Sequence, residues 1–344
     1  MQYVTTRSNE KTYTWLHALN DDRAEDGGFY IPAQMPAFSP EQISALALKN
    51  PNQALAEMLN LLFDCELTRW DVDFAVGRYP VRLSSIVRRI AIAEGWHNVD
   101  WDFSRTVRDL SNLVRGTGAG ILPAGDWFEI AVRIGVLFGV FGELMRDGIA
   151  QPGKTVDVAV ASGNLRSVMA VRYAREWGLP IGDIIICCNE NNNLWNLVRH
   201  GELRSGLSVK ETATSDCDNV FAEDMERLIH LCGGGTEVFR FLEAKEQGRS
   251  YFADTRVLPS LQKNTYVSVV GQARLESIIP TIHKNHGYVF GPYSALCYAG
   301  LTDYRSATGS SDYALIISDR GALRDDRYVA MEMGISVAAL HNML

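Results

Sequence analysis

No apolar stretch in the 344 residues approaches the length needed to cross a bilayer, so a membrane-spanning chain is not expected. No internal repeat or low-complexity tract appears either. Basic charge is in short supply: 33 Lys and Arg against 41 Asp and Glu leave a formal net charge of -8, and the basic residues form no cluster. A phosphate backbone is a poor partner for such a surface, so nucleic-acid binding is not expected. The six cysteines, Cys65, Cys187, Cys188, Cys217, Cys232 and Cys297, have no CxxC spacing, and the Met1 end lacks a basic-then-apolar leader pattern. Together these absences predict a reduced, cytoplasmic protein without disulfides or structural zinc. The composition, 47% apolar and 22% charged, is that of a soluble globular chain, and its length suits two lobes or one large α/β unit.

Local signals divide the chain. Asp26-Gly27-Gly28 allows a tight turn before the short apolar run Phe29-Tyr30-Ile31-Pro32, which reads as a strand. Ser39-Pro40-Glu41-Gln42 is a capping-box helix start, and Asn50-Pro51 breaks the following helical run in two, so residues 1–100 read as mainly helical. Residues 102–115 alternate charged and apolar positions at helical spacing, Gly116-Thr117-Gly118-Ala119-Gly120 reads as a linker loop, and 127–145 reads as a buried helix with one arginine, Arg133. The clearest unit follows: a Val156–Ala161 strand, the loop Ser162-Gly163-Asn164, a helix over 165–177 and a strand over 183–188, which is β-loop-α-β and predicts a parallel pair. A helix over 224–231 ended by Gly233-Gly234-Gly235, another over 295–300 and a strand over 313–318 complete an α/β chain.

The loop Ser162-Gly163-Asn164-Leu165-Arg166-Ser167 enters a helix, where unpaired amides and the helix dipole favour an anion. On loop chemistry alone it reads either as a capped βα turn or as a phosphate cradle.

Six segments, taken in order, resemble the threonine synthase family. They are Thr5-Thr6-Arg7 with Asp26-Gly27-Gly28-Phe29-Tyr30-Ile31-Pro32, Ala161-Ser162-Gly163-Asn164-Leu165, Gly178-Leu179-Pro180-Ile181, Asn189-Glu190-Asn191, Ser215-Asp216-Cys217-Asp218, and Gly287-Tyr288-Val289-Phe290-Gly291-Pro292-Tyr293. The resemblance implies a tryptophan-synthase-β-like, fold-type II pyridoxal-phosphate architecture: a parallel-sheet lobe with a helical N-terminal extension. It implies that Ser162, Gly163, Asn164 and Leu165 would hold the cofactor phosphate, with Arg166 and Ser167 replacing a glycine and an aspartate, and that Ser318 would stand beside the pyridine nitrogen. The family reaction converts O-phosphohomoserine to threonine with pyridoxal phosphate.

The departures from the family pattern bear on chemistry. The cofactor needs a lysine amine to form its imine, but Phe103-Ser104-Arg105-Thr106-Val107-Arg108-Asp109 places Arg108 at that point of the pattern, and a guanidinium makes no imine. Lys11, Lys49, Lys154, Lys210, Lys245, Lys263 and Lys284 all fall in loops, polar helix surfaces or helix ends. The family's small cofactor lobe has no counterpart after Arg115, which divides the chain into an N-terminal region over 1–100, a reduced remnant over 101–150 and a sheet lobe over 151–344. Arg320 and Arg324 read as solvated charges beside Asp325 and Asp326, and His283 with His286 as a solvated helix end rather than a metal pair. Cys187-Cys188 reads as apolar filling at a strand end, and Trp177, Trp195, Tyr293 and Tyr298 as core or cleft-border aromatics. The expectation is a threonine-synthase-like protein that has lost its imine chemistry, with pyridoxal phosphate absent or not covalently held. The alternatives are a binding protein for a small phosphate or carboxylate ligand, or a scaffold; a homo-oligomer is expected.

Overall fold

In the computed structural model of the chain, residues 1–76, 81–95, 103–116, 123–163, 165–222, 224–318 and 320–344 are described. Near the N-terminus β1 (Tyr3–Thr5) and β2 (Tyr30–Pro32) pair antiparallel, with α1 (Trp15–Asn20) between them. Ser39 caps α2 (Pro40–Ser44) reciprocally with Gln42, its hydroxyl accepting from the Gln42 amide at 3.3 Å and its own amide donating to Gln42 Oε1 at 2.8 Å. Asn50 caps α3 (Pro51–Phe63), whose first position is the proline that closed the preceding run, and α4 (Arg69–Val76) follows.

The first hundred residues are mainly helical, as expected, but not helical throughout. They also contain β3 (Arg82–Val87) and β4 (Ile90–Glu94), joined as an antiparallel pair. Ile90-Ala91-Ile92-Ala93 is too short for a helix, and all five residues of β4 are buried. Further on come α5 (Phe103–Arg115), α6 (Asp126–Arg146), β5 (Val156–Ala161), α7 (Arg166–Glu176) and β6 (Ile181–Cys188), with β5 and β6 parallel as their connection requires.

Beyond α8 (Asn193–His200), the two-residue strands β7 (Glu202–Leu203) and β8 (Tyr251–Phe252) pair around α9 (Met225–Glu246). The triple glycine ends the first part of this segment as expected: Gly234, at φ 71° and ψ -174°, is non-helical, and a second helical stretch runs on to Glu246, with Val238, Phe241 and Ala244 entering the core. The chain closes with α10 (Leu258–Gln262), β9 (Thr265–Val269), α11 (Gln272–His286), α12 (Pro292–Thr308), β10 (Ala314–Ser318), α13 (Asp326–Met333) and α14 (Val337–Met343).

Six strands form one sheet in the order β3-β4-β10-β5-β6-β9, parallel throughout except at β3. Alternate residues of each inner strand enter opposite layers. Val158, Val160 and Leu315 pack toward α3, α6 and α7, whereas Ala159, Ala314 and Ile316 pack toward α11, α12 and α13. Helix α6 comes close enough to the N-terminal helices that a Cβ on Gly139 would lie 2.9 Å from Pro51 Cα and one on Gly142 2.7 Å from the Leu46 carbonyl oxygen. Among the described residues, no helix is long and apolar enough to cross a membrane.

Candidate functional site

The carboxyl ends of β4, β10 and β5 lie side by side where the strand order switches, the place at which an open α/β sheet leaves a crevice. A cleft of about 280 Å³ opens there. Val160, Ala161 and Gly163 bring the end of β5 to it, Ile317 and Ser318 the end of β10, and Phe103 and Ser104 the start of α5. Behind it lies a smaller apolar cavity of about 40 Å³, whose walls share Phe103, Arg133, Ser167, Ile317 and Ser318 with the cleft.

The loop after β5 is largely bonded to itself and to its neighbours. Ser162 donates its amide to the Cys187 carbonyl at 2.9 Å, Leu165 donates to the Ser162 carbonyl at 3.1 Å, and Gly163 donates to Cys217 Sγ at 3.2 Å. Burial pushes the Cys217 thiol up to about 12, so sulfur, not thiolate, accepts this bond at neutral pH. Asn219 Nδ2 donates to the Gly163 carbonyl at 3.0 Å. Leu165 is buried and takes a left-handed conformation at φ 62° to open α7. Asn164 lies outside the described residues. Of the expected cofactor-binding residues, Gly163 of the phosphate loop and Ser318 line the cleft, while Ser162 and Leu165 are buried and do not.

Arg166 meets carboxylates. Its guanidinium contacts Asp126 and Glu129, each at 2.5 Å, and Asp224 at 3.6 Å. Burial disfavours its charge, but the three acids outweigh that and hold its pKa above the usual arginine value. Burial alone would raise Glu129, yet Arg133 and Arg166 leave its carboxyl below the ordinary range, whereas burial prevails at Asp126 and lifts it to about 6.

Arg133 does face the cleft. It is 11% exposed, donates to Glu129 at 2.9 Å and to Ser167 Oγ at 3.0 Å, and lies with its guanidinium 4.0 Å from the Phe103 ring centroid. A single arginine within a long apolar helix is a buried charge needing partners, and Glu129 one turn earlier was the visible signal. Arg108, by contrast, is half exposed beside Asp109 and does not line the cleft.

Arg320 is not simply solvated. Its side chain is 25% exposed, pairs with Asp216 at 2.6 Å, donates to Tyr293 Oη at 3.3 Å and lies over the Tyr293 ring. Tyr293 Oη also accepts from the Asp216 amide at 3.0 Å, and burial raises its pKa. Ser318 donates its hydroxyl to the Arg320 carbonyl at 3.2 Å, so the loop after β10 is pinned from both sides. Arg324 is exposed at the rim, as expected, and Trp177 is core.

Pyridoxal phosphate held as an imine does not fit this donor set. All seven lysines are described; six are exposed, Lys49 is half-buried beside Glu57, and none lines the cleft. The cations presented to the cleft are guanidinium groups, from Arg133, Arg320 and Arg324, which stay protonated.

The N-terminal motif has a separate role. Thr6 donates to Glu226 Oε1 at 2.5 Å, and Arg7 holds both carboxylate oxygens at 3.1 and 3.0 Å, while Thr5 and the Gly28 amide secure Asp26 at 2.6 and 2.8 Å. Thr5-Thr6-Arg7 and Asp26-Gly27-Gly28 thereby clasp β1 and β2 to α9.

Comparison with known proteins agrees with this architecture. The family profile of the threonine synthase N terminus matches residues 2–75. Human threonine synthase-like 1 is 22% identical over 178 residues, covering 50% of this chain and 23% of that protein. Threonine synthase of Eremothecium gossypii is 32% identical over 186 residues, covering 50% of this chain and 36% of its own length. The matched stretches thus span well under half of these relatives. Among solved structures, the PLP-bound threonine synthase from Brucella melitensis superposes with a TM-score of 0.84 at 17% identity over 97% of this chain and 92% of that one, and yeast threonine synthase with 0.83 at 16% identity over 97% and 90%. Its N-terminal segment matches the threonine synthase profile, stretches of the chain resemble curated threonine synthases, and its fold is that of the fold-type II threonine synthases.

Proposed function

We propose that this protein is a threonine-synthase-like receptor for a small anion and does not carry out the family's imine chemistry. One observation carries the reading: the cleft at the strand ends presents three guanidinium groups and no primary amine. An elimination through an imine requires that amine, and arginine does not replace it. A guanidinium is well suited to hold a carboxylate or phosphate by paired hydrogen bonds, which is binding without bond chemistry. With Glu129 and Asp216 as the lining carboxylates, the three arginines leave the cleft one positive charge in excess within a chain of net charge -8. Addition of pyridoxal phosphate should give no imine absorbance and no lysine trapped by borohydride, while phosphate, pyridoxal phosphate or phosphohomoserine should raise the melting temperature. A borohydride-trapped lysine overturns the loss of chemistry; flat melting curves with every anion overturn the receptor. Self-association is a separate proposal, favoured by Trp70 and Phe74, one turn apart on α4 and 72% and 90% exposed. Sedimentation at micromolar concentration tests it, and a monomer counts against it.

A further inference from the structure

The receptor reading leaves the ligand's class open, and the second cavity narrows it. Behind the cleft the lining changes character within one side chain's length. In front stand Arg133 and Arg320, which a ligand carboxylate would share with Glu129 and Asp216, together with Arg324, Tyr293 and Ser318; behind, Val136, Leu137, Val140, Ala170 and Val171 form a wall that is almost wholly apolar. Arg133 lines both spaces, and its guanidinium lies against the ring of Phe103, which also lines both. Water gains little in such a back cavity, because it offers too few polar partners, whereas a hydrocarbon group entering it leaves water at no cost in hydrogen bonds. Its size sets an upper limit. A cavity of about 40 Å³ exceeds what one water needs, yet is well below the roughly 150 Å³ of an engineered apolar cavity that takes up benzene. A group of one or two carbons fits; a phenyl ring does not.

We infer that the ligand is a short-chain aliphatic carboxylate, its charge held at Arg133 and Arg320 and its hydrocarbon end lodged between α6 and α7. The inference rests on the receptor reading, since the tail pocket matters only if the cleft takes an anion. Inorganic phosphate and a phosphorylated amino acid would occupy the front alone.

The test is calorimetric titration of the full chain with acetate, propionate, isobutyrate, isovalerate and phenylacetate, beside inorganic phosphate and the neutral isobutyramide. Affinity should climb roughly fourfold for each methylene buried, from acetate to propionate, and level off or fall for isovalerate and phenylacetate, with isobutyramide binding worse than isobutyrate. Ala170→Leu, which places its side chain in the back cavity, should flatten the climb. Acetate binding with no dependence on chain length overturns the tail pocket and leaves the receptor standing, as does binding confined to phosphate. No binding by any anion removes both. The wild-type series decides the matter even if Ala170→Leu fails to fold.

Discussion

Replacing Glu226 with glutamine tests how the N-terminal segment is held. The carboxylate is 4% exposed, receives Thr6 and both arms of Arg7, and lies 3.7 Å from Arg23. Glutamine keeps the shape but removes the charge and turns an NH₂ group toward a guanidinium. Breaking a buried pair by deleting one partner costs about 3–5 kcal/mol, because the other is left uncompensated. Arg7 is itself 22% exposed and can recover some water, which favours the lower end, about 3 kcal/mol. Urea unfolding followed by tryptophan fluorescence should show this loss, and limited proteolysis should cut the chain between β1 and β2 at lower protease. Glu25→Gln is the control: its pair with Lys11 is exposed at 83% and 55%, and its loss should leave the curve unchanged. A Glu226→Gln loss below about 1 kcal/mol, with unchanged proteolysis, would show that β1 and β2 are held by their own pairing and packing instead, and the clasp argument would fail.

Two further substitutions probe the helix packing and the buried acids. Gly142→Val sets a side chain against the Leu46 carbonyl, 2.7 Å from the position of its Cβ, so overpacking should cost about 1–3 kcal/mol; if Gly142→Ala instead stabilises by its helix propensity, the close approach of α6 is wrong. Asp126, raised by burial to about 6, binds a proton on folding between its unfolded value near 3.8 and pH 6. Its contribution is therefore fully present below the unfolded value and lost as pH rises through 6, so wild type should lose stability relative to Asp126→Asn between pH 4 and 7. Parallel pH profiles for the two proteins would refute that assignment.

What could be read from the sequence depended on how local the signal was. The Ser39 capping box, the Asn50-Pro51 break and the β5-loop-α7-β6 unit each rest on neighbouring residues, and each appears as expected. Strand β4 was not legible as a strand because its meaning lies in pairing with β10, far along the chain. The α9 glycines do break the helix, but nothing local reveals the second helical stretch beyond them, where Val238 and Phe241 find a core. At the site, Ser318 and Gly163 came from family resemblance, but the partnerships around them did not. Only the folded chain brings Asp216 to Tyr293 and Arg320, and carries Arg166 away to three carboxylates. Arg133 was visible as an anomaly, the one basic residue within the apolar stretch of 127–145, without any indication of where it points.

The strand inserted between β4 and β5 is made last. During synthesis β4, β5 and β6 leave the ribosome with a gap at the sheet's centre that nothing encoded earlier fills, and two inner edges wait, unpaired, for residues 314–318. Exposed edges of that kind recruit foreign strands, and a nascent chain truncated before residue 314 would have no way to close them. Residues 314–318 therefore govern whether the sheet closes or aggregates, and the cleft, whose floor includes Ile317 and Ser318, cannot exist until they arrive.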